Sequence, residues 1–386
     1  MAESAGDGRL VAIDWMRGFV MVLMAIDHGS AVMNGGRLAH DTVWDLSGMG
    51  VARQDGPLEL AQFLTRWITH LCAPTFLFLS GTSLALSSHR RMQRGASPRE
   101  IDLHLVIRGC VLLGFEVAWM SLIFSVGGGH YRPFLQVLYA IGLSLILMAP
   151  LRRLGNGLLV ALALGWFAVG EAITLALTPP SGDPTASLLP LLSPGVLEHA
   201  AVLYPVTPWL AMMMLGWAFG RHLIARRDSG RGGAPAAVCA IAGAASLALF
   251  AAVRAWNGYG NMQLLRRDAS LVEWLHVSKY PPSLAFASLE LGLMAVLLAG
   301  LFLLQQRAAR VARWNPILVL GQTALFFYLI HIHALGVGAA LLGRIGKGGL
   351  PDAYLGALLV VVALYPVCVW YRGYKAAHPN GFAQYV

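Results

Sequence analysis

A bundle of about ten membrane-crossing α-helices is the fold this sequence predicts, and three observations predict it. Of 386 residues, 57% are hydrophobic and only 12% charged, against about 25% charged in an average soluble domain. Apolar stretches of about 20 residues, the length that crosses a bilayer as a helix, recur from one end of the chain to the other. Arginine clusters alternate with them: Arg90, Arg91, Arg94 and Arg99 follow the second stretch, Arg152 and Arg153 the fourth, Arg221, Arg226, Arg227 and Arg231 the sixth, and Arg307, Arg310 and Arg313 the eighth. The positive-inside rule then places those ends, and both termini, in the cytoplasm.

The first span covers 11 to 33, and the polar, acidic MAESAGDGRL before it lacks the basic region and cleavage site of a signal peptide, so this helix is expected to be retained. Further spans are expected at 64 to 86, 104 to 125, 134 to 151, 157 to 178, 203 to 220, 234 to 254, 283 to 304, 316 to 342 and 353 to 371. The connections are short, which leaves one membrane domain over 1–386. The loop after the seventh span, with Arg266, Arg267 and Lys279, is the exception to the charge rule. The net charge of +9 does not indicate nucleic acid, because the basic residues are dispersed among loops. Cys72, Cys110, Cys239 and Cys368 all fall inside apolar spans, without metal-ligand spacing, and read as packing residues.

Function is carried by ionisable residues at membrane depth, which are costly and usually line a working interior. Arg17 and His28 lie on one face of the first helix, within roughly 20° of each other and roughly 16 Å apart along its axis. That stripe suits a long ligand with an anionic head and a reactive tip. Asp14 either anchors Arg17 at the interface or helps it bind phosphate, for which arginine is well suited. His70 and His331 are expected at the depth of His28, with Glu116, Glu171 and Glu290 central or outward. One such histidine is commonly a buried group bonded to a carbonyl, whereas three at one level favour acid–base or nucleophilic chemistry. Asp27 projects away from His28 and has Arg66 or His70 as candidate partners. A metal is not expected, since no HxxxH or HxxE spacing occurs. Tryptophans 15, 44, 67 and 209 read as interface markers.

Several blocks together resemble the heparan-α-glucosaminide N-acetyltransferase-like membrane proteins: RLVAIDWMRGFVMVLMAIDH from Arg9, RWITHLCAPTFLFLSGTS from Arg66, YPVTPWLAMMMLGWAFGR from Tyr204, KYPPS from Lys279, LFFYLIHIH from Leu325, and the WYRGYKAAHP tail. The resemblance implies transfer of an acetyl group from cytosolic acetyl-CoA to an amine or hydroxyl of a sugar, glycan or glycolipid beyond the membrane. It makes His28 the base or transient acyl carrier and Arg17 the donor contact. Around them, Asp27 and His70 would orient His28, His331 would serve the developing oxyanion, and Lys279, Tyr280, Trp209 and Glu290 would meet the acceptor. The chain departs from the animal members at Asp27 and His70 and lacks their large lumenal domain, which fits a compact bacterial branch in the inner membrane. A homodimer stays open. The rival reading is a proton-coupled transporter using the same buried histidines and acids as a relay.

Overall fold

In the computed structural model the described residues are 10–38, 58–125, 131–177, 189–229, 235–308, 312–379 and 381–385. Trp44, Arg231 and Arg310 lie outside them. In chain order the helices are α1 Val11–Met33, α2 Leu60–Ile68, α3 Cys72–Gln93, α4 Pro98–Phe115, α5 Ser121–Ser125, α6 Val137–Leu151, α7 Asn156–Leu177, α8 Leu189–Leu192, α9 Val206–Asp228, α10 Pro235–Trp256, α11 Leu271–Leu275, α12 Leu284–Arg307, α13 Pro316–Gln322, α14 Ala324–Leu341 and α15 Leu350–Ala377. Two-residue strands at Phe134–Leu135, Gly195–Val196 and Ala201–Val202 form a minor sheet between helix ends. Among the described residues eight helical spans are long and apolar enough to cross a membrane. Two more of the ten expected segments, α6 and α9, are helical as well; α6 is shorter, and α9 carries Arg221, Arg226, Arg227 and Asp228 in its final turns. The chain is a multi-pass, all-α integral membrane protein. Leu158, Leu162, Val169, Ile241, Leu358, Leu359 and Val362 stand exposed on α7, α10 and α15, where lipid would cover them.

The arginine-bearing helix ends gather on one face. Arg152 of α6 bonds Asp102 of α4 at 2.7 Å, Arg91 of α3 meets His104 of α4 at 3.2 Å, and His89 reaches Asp228 of α9 at 4.0 Å. The start of α1 belongs to the same face, since the Ala12 amide donates to Gln305 near the end of α12. At the opposite face the charge-rule exception has a structural cause. Arg254 is fully buried and donates to Asn261 Oδ1 and to the carbonyls of Leu264, Glu273 and Trp274, while Arg266 lies 4.3 Å over the Trp274 ring. These cations bind a folded connection together instead of setting its side of the membrane.

α1 is the central element, packed against α12, α13, α14 and α15. Close approach of α13 requires glycine on both helices: a Cβ on Gly18 would lie 1.8 Å from the Ile317 carbonyl oxygen, and one on Gly321 would lie 1.8 Å from that of Asp14. Two breaks in otherwise continuous spans orient the side chains that matter below. Pro74 has no N–H for the carbonyl of His70 and its ring crowds that carbonyl, and the helix there tightens into the turn Thr69–Leu71. The expected single span over 316 to 342 is interrupted at Thr323, where φ is −119° and the hydroxyl donates to Val319 O at 2.9 Å. Asn315 and Pro316 start the first piece, and α14, which begins after Thr323, carries His331.

Candidate active site

At the end of α1 remote from the arginine-bearing face, His28 and His331 meet. His28 Nδ1 lies 2.7 Å from His331 Nε2, and His331 Nδ1 lies 3.0 and 2.9 Å from the carbonyl oxygens of Phe327 and Tyr328. Carbonyls only accept, so Nδ1 of His331 carries the proton and its Nε2 is left to accept from His28 Nδ1–H. The lone pair of His28 therefore sits on Nε2. That nitrogen has no partner among the described residues, and the ring is only half-buried. His331, by contrast, is fully buried.

Asp27, the preceding residue, turns the other way into a cluster of donors. Its Oδ1 accepts from Arg66 Nη1 at 2.8 Å, Arg37 Nη2 at 3.0 Å and Thr69 Oγ1 at 2.9 Å. Arg37 also donates to the Asp27 carbonyl, which ties the chain beyond α1 back onto it. Of the two partners expected for Asp27, Arg66 is the one found. Arg66 continues to Tyr280 Oη at 3.4 Å, and Tyr280 Oη lies 3.3 Å from Tyr204 Oη. One connected network thus joins α1, α2, the segment before α9 and the segment before α12.

The remaining expected residues line the same end. Lys279 is 3% exposed, with its ammonium 5.2 Å from the Tyr280 ring centre and within electrostatic reach of Asp27, His28 and Glu290. Glu290 is buried on α12, and its Oε1 has no hydrogen-bond partner among the described residues. Trp209 is fully buried, packed at 4.8 Å on Tyr204 and edge-on at 6.2 Å to Phe286, and its Nε1 is likewise without a partner. It is an interior residue, not an interface marker, and Trp15 is buried as well. His70 is buried in the turn between α2 and α3, its ring 5.8 Å from that of Phe286. Arg37, Thr69, Tyr204, Phe286 and Tyr328 belong to this end and escaped sequence reasoning. Their types are common and only the packing brings them together, although Tyr204 opens one of the blocks that carried the resemblance.

At the arginine-bearing end, Arg17 is 3.3 Å from Asp14 and also donates to Leu79 O at 3.2 Å and to Ser83 Oγ. The other two buried acids have building roles. Glu116 accepts from the amides of Gln136 and Tyr139 at 2.9 and 3.2 Å, capping the start of α6 where the helix dipole favours negative charge. Glu171 accepts from Gly260 N at 2.7 Å, holding the connection after α10. No group of three or more histidine, cysteine, aspartate or glutamate residues suited to a metal occurs among the described residues.

A polytopic helical membrane protein with an imidazole held in one tautomer beside a buried cation and acid is the class that fold and site define. The sequence profile of the family described as "Heparan-alpha-glucosaminide N-acetyltransferase, catalytic" matches residues 9–253, and the chain belongs to that family. It is accordingly a membrane acetyltransferase. No curated protein matches the chain.

Proposed function

We propose that the protein moves an acetyl group from cytosolic acetyl-CoA to an amine or hydroxyl of a sugar on the far side of the membrane, with His28 as the base. The observation that carries this reading is the His28–His331 contact anchored on the Phe327 and Tyr328 carbonyls. It leaves His28 Nε2 as a lone pair on an accessible ring, which is what proton abstraction requires. In the step proposed, Nε2 takes the acceptor's proton as its nitrogen or oxygen attacks the thioester carbonyl. The C–S bond then breaks, and the leaving thiolate receives the proton from His28.

His331 acts as a positioning residue in this scheme. Its Nε2 is engaged by His28 and not available to the oxyanion, so the nearby Lys279 ammonium is the better candidate for that charge. Asp27, pinned by Arg66, Arg37 and Thr69, fixes the end of α1 from which His28 projects. Trp209, Tyr280, His70 and Glu290 would form the acceptor side, and Arg17 with Asp14 the donor side at the cytoplasmic face. The arginine-rich helix ends support that sidedness through the positive-inside rule, and the inner membrane of a bacterium is the setting we infer.

The test is thioester consumption and label transfer from radiolabelled acetyl-CoA by the purified protein in detergent, where no ion gradient exists. His28→Ala should lower turnover by about 10²–10⁴-fold while the protein still purifies folded. Undiminished turnover in His28→Ala would remove the histidine from the chemistry. Failure of the wild-type protein to bind or consume the thioester would remove the donor.

A further inference from the structure

On the arginine-bearing face, the connection from α12 to α13 and the last turns of α15 build a cationic platform that the acetyl-transfer scheme leaves unused. The guanidinium carbons of Arg313 and Arg372 each lie 5.7 Å from the ring centre of Trp314, within the range in which a cation is attracted to an indole face. Hydrogen bonds hold this group in place. Arg372 Nη1 donates to Arg313 O at 2.8 Å and to Gln322 Oε1 at 3.2 Å, and Tyr365 Oη donates to Trp314 O at 2.6 Å. Its outer side is uncovered: Trp314 is 58% exposed, Arg313 is exposed, and the Arg313 guanidinium has no hydrogen-bond or ion-pair partner among the described residues.

The surface leading to the platform is apolar and follows one face of α15. Alternating steps of four and three residues put Leu358, Val362, Tyr365, Val369 and Arg372 within roughly 40° of one line along the helix. Leu358 and Val362 are 59% and 61% exposed, whereas Gly356, Val360 and Tyr371, which α15 buries against the bundle, lie on its other side. The stripe therefore faces lipid. From Val362 to Arg372 the rise is roughly 15 Å, half the hydrocarbon core and so the depth of one leaflet. An acyl chain laid along it brings its phosphate to the level of Trp314.

We propose that this platform holds the headgroup of one anionic phospholipid, with Arg313 and Arg372 on the phosphate oxygens and an acyl chain over Val362 and Leu358. Guanidinium groups match phosphate geometry, and tryptophan and tyrosine settle at headgroup level. A zwitterionic lipid would bring an ammonium group towards two cations, which favours the anionic kind. A soluble phosphate compound would leave the apolar stripe uncovered. The bound lipid would tie the α12–α13 connection to α15 and steady α13, whose Gly321 packs on α1. This site is separate from the acetyl-transfer chemistry and does not depend on it.

The test is native mass spectrometry of the full chain released from nanodiscs of phosphatidylcholine, alone or mixed with phosphatidylglycerol. Wild type is compared with Arg313→Gln, Trp314→Leu and a control, Arg94→Gln, which removes an exposed cation at the end of α3. Expected are a phosphatidylglycerol retained by wild type in preference to phosphatidylcholine, retention lowered about fivefold or more in Arg313→Gln and also lowered in Trp314→Leu, and Arg94→Gln like wild type. An equal loss in Arg94→Gln, or equal retention of the two lipids by wild type, would show a response to surface charge alone and overturn the proposal. Displacement of the retained lipid by coenzyme A would give the platform to a soluble ligand and overturn it too. If the platform variants fail to fold, wild type alone still decides: its melting temperature should be higher with phosphatidylglycerol than with phosphatidylcholine alone, and no difference counts against the site.

Discussion

The two ends of α1 carry the same kinds of residue and treat them in opposite ways. At the His28 end, Asp27 is surrounded by Arg37 from the chain beyond α1 and by Arg66 and Thr69 from the end of α2 and the turn after it, and the imidazole is locked by His331 against backbone carbonyls. At the Arg17 end, Asp14 lies 3.3 Å from Arg17, whose guanidinium also reaches Leu79 O and Ser83 Oγ, and the Arg108 Nε of α4 is enclosed without a hydrogen-bond partner among the described residues. The contacts that hold Asp27 and His28 at the first end come from the chain itself, which suits the catalysis proposed above, because groups aimed in advance cost no reorganisation during reaction. Among the described residues the second end has more cation than anion, a balance that suits the donor side proposed above.

The largest effect that comparison predicts is on Asp27. Asp27→Ala strands two arginines, Arg66 and Arg37, 9% and 19% exposed, around a vacated carboxylate, and the loss should approach the roughly 3–5 kcal/mol of breaking a buried pair. Asp14→Ala removes one partner of a single arginine that still has Leu79 O and Ser83 Oγ and is 22% exposed, so a smaller loss of about 1–2 kcal/mol is expected. Thermal inactivation of the two variants in detergent measures the difference. Equal losses would mean that the two ends are built alike.

Next in size is His331. His331→Leu removes the acceptor that holds the His28 tautomer, and a misplaced base costs about 10²-fold in turnover. His331→Gln places an amide oxygen near the Nε2 position, where it accepts from His28 Nδ1–H, and should recover a large part of that loss in kcat without changing KM for the donor. A pair of variants with equal activity would show that the carbonyl-anchored relay has no part in catalysis. The measurement is kcat and KM for acetyl-CoA side by side in the three proteins.

What the sequence revealed of this arrangement follows from range. Hydropathy and charge alternation are local, and they located all ten helical segments and the gathering of arginines at one face. The 11-residue step from Arg17 to His28 is also local, since one helix relates the two. His331 was assigned to the same level by counting residues along its span, but the helix break at Thr323 and the packing of α13 into α1 through Gly18 and Gly321 lie between that count and the His28 contact. Nothing in the 316 to 342 stretch alone marks that contact. The Tyr204–Tyr280–Arg66 chain and the role of Arg37 are farther from reach, because each joins segments that only the folded bundle brings together. Trp209 illustrates the cost of a general rule: tryptophans favour membrane interfaces, yet this one is fully buried among Tyr204 and Phe286.

The smallest prediction separates buried acids that build from those that act. The sequence places Glu116 among the acids central in the membrane, but both of its oxygens accept from amides at the start of α6. In Glu116→Gln one of those two acceptors becomes an N–H₂ group facing another N–H, and the attraction of the carboxylate for the helix N-terminus is lost. The expected cost is about 1 kcal/mol of stability, read as a modest fall in melting temperature, with turnover per folded molecule unchanged. A loss of turnover out of proportion to that fall would place Glu116 in the chemistry and extend the reacting region from α1 and α14 to the residues just after α4. Retained turnover would confine it to the end of α1 where the histidines meet.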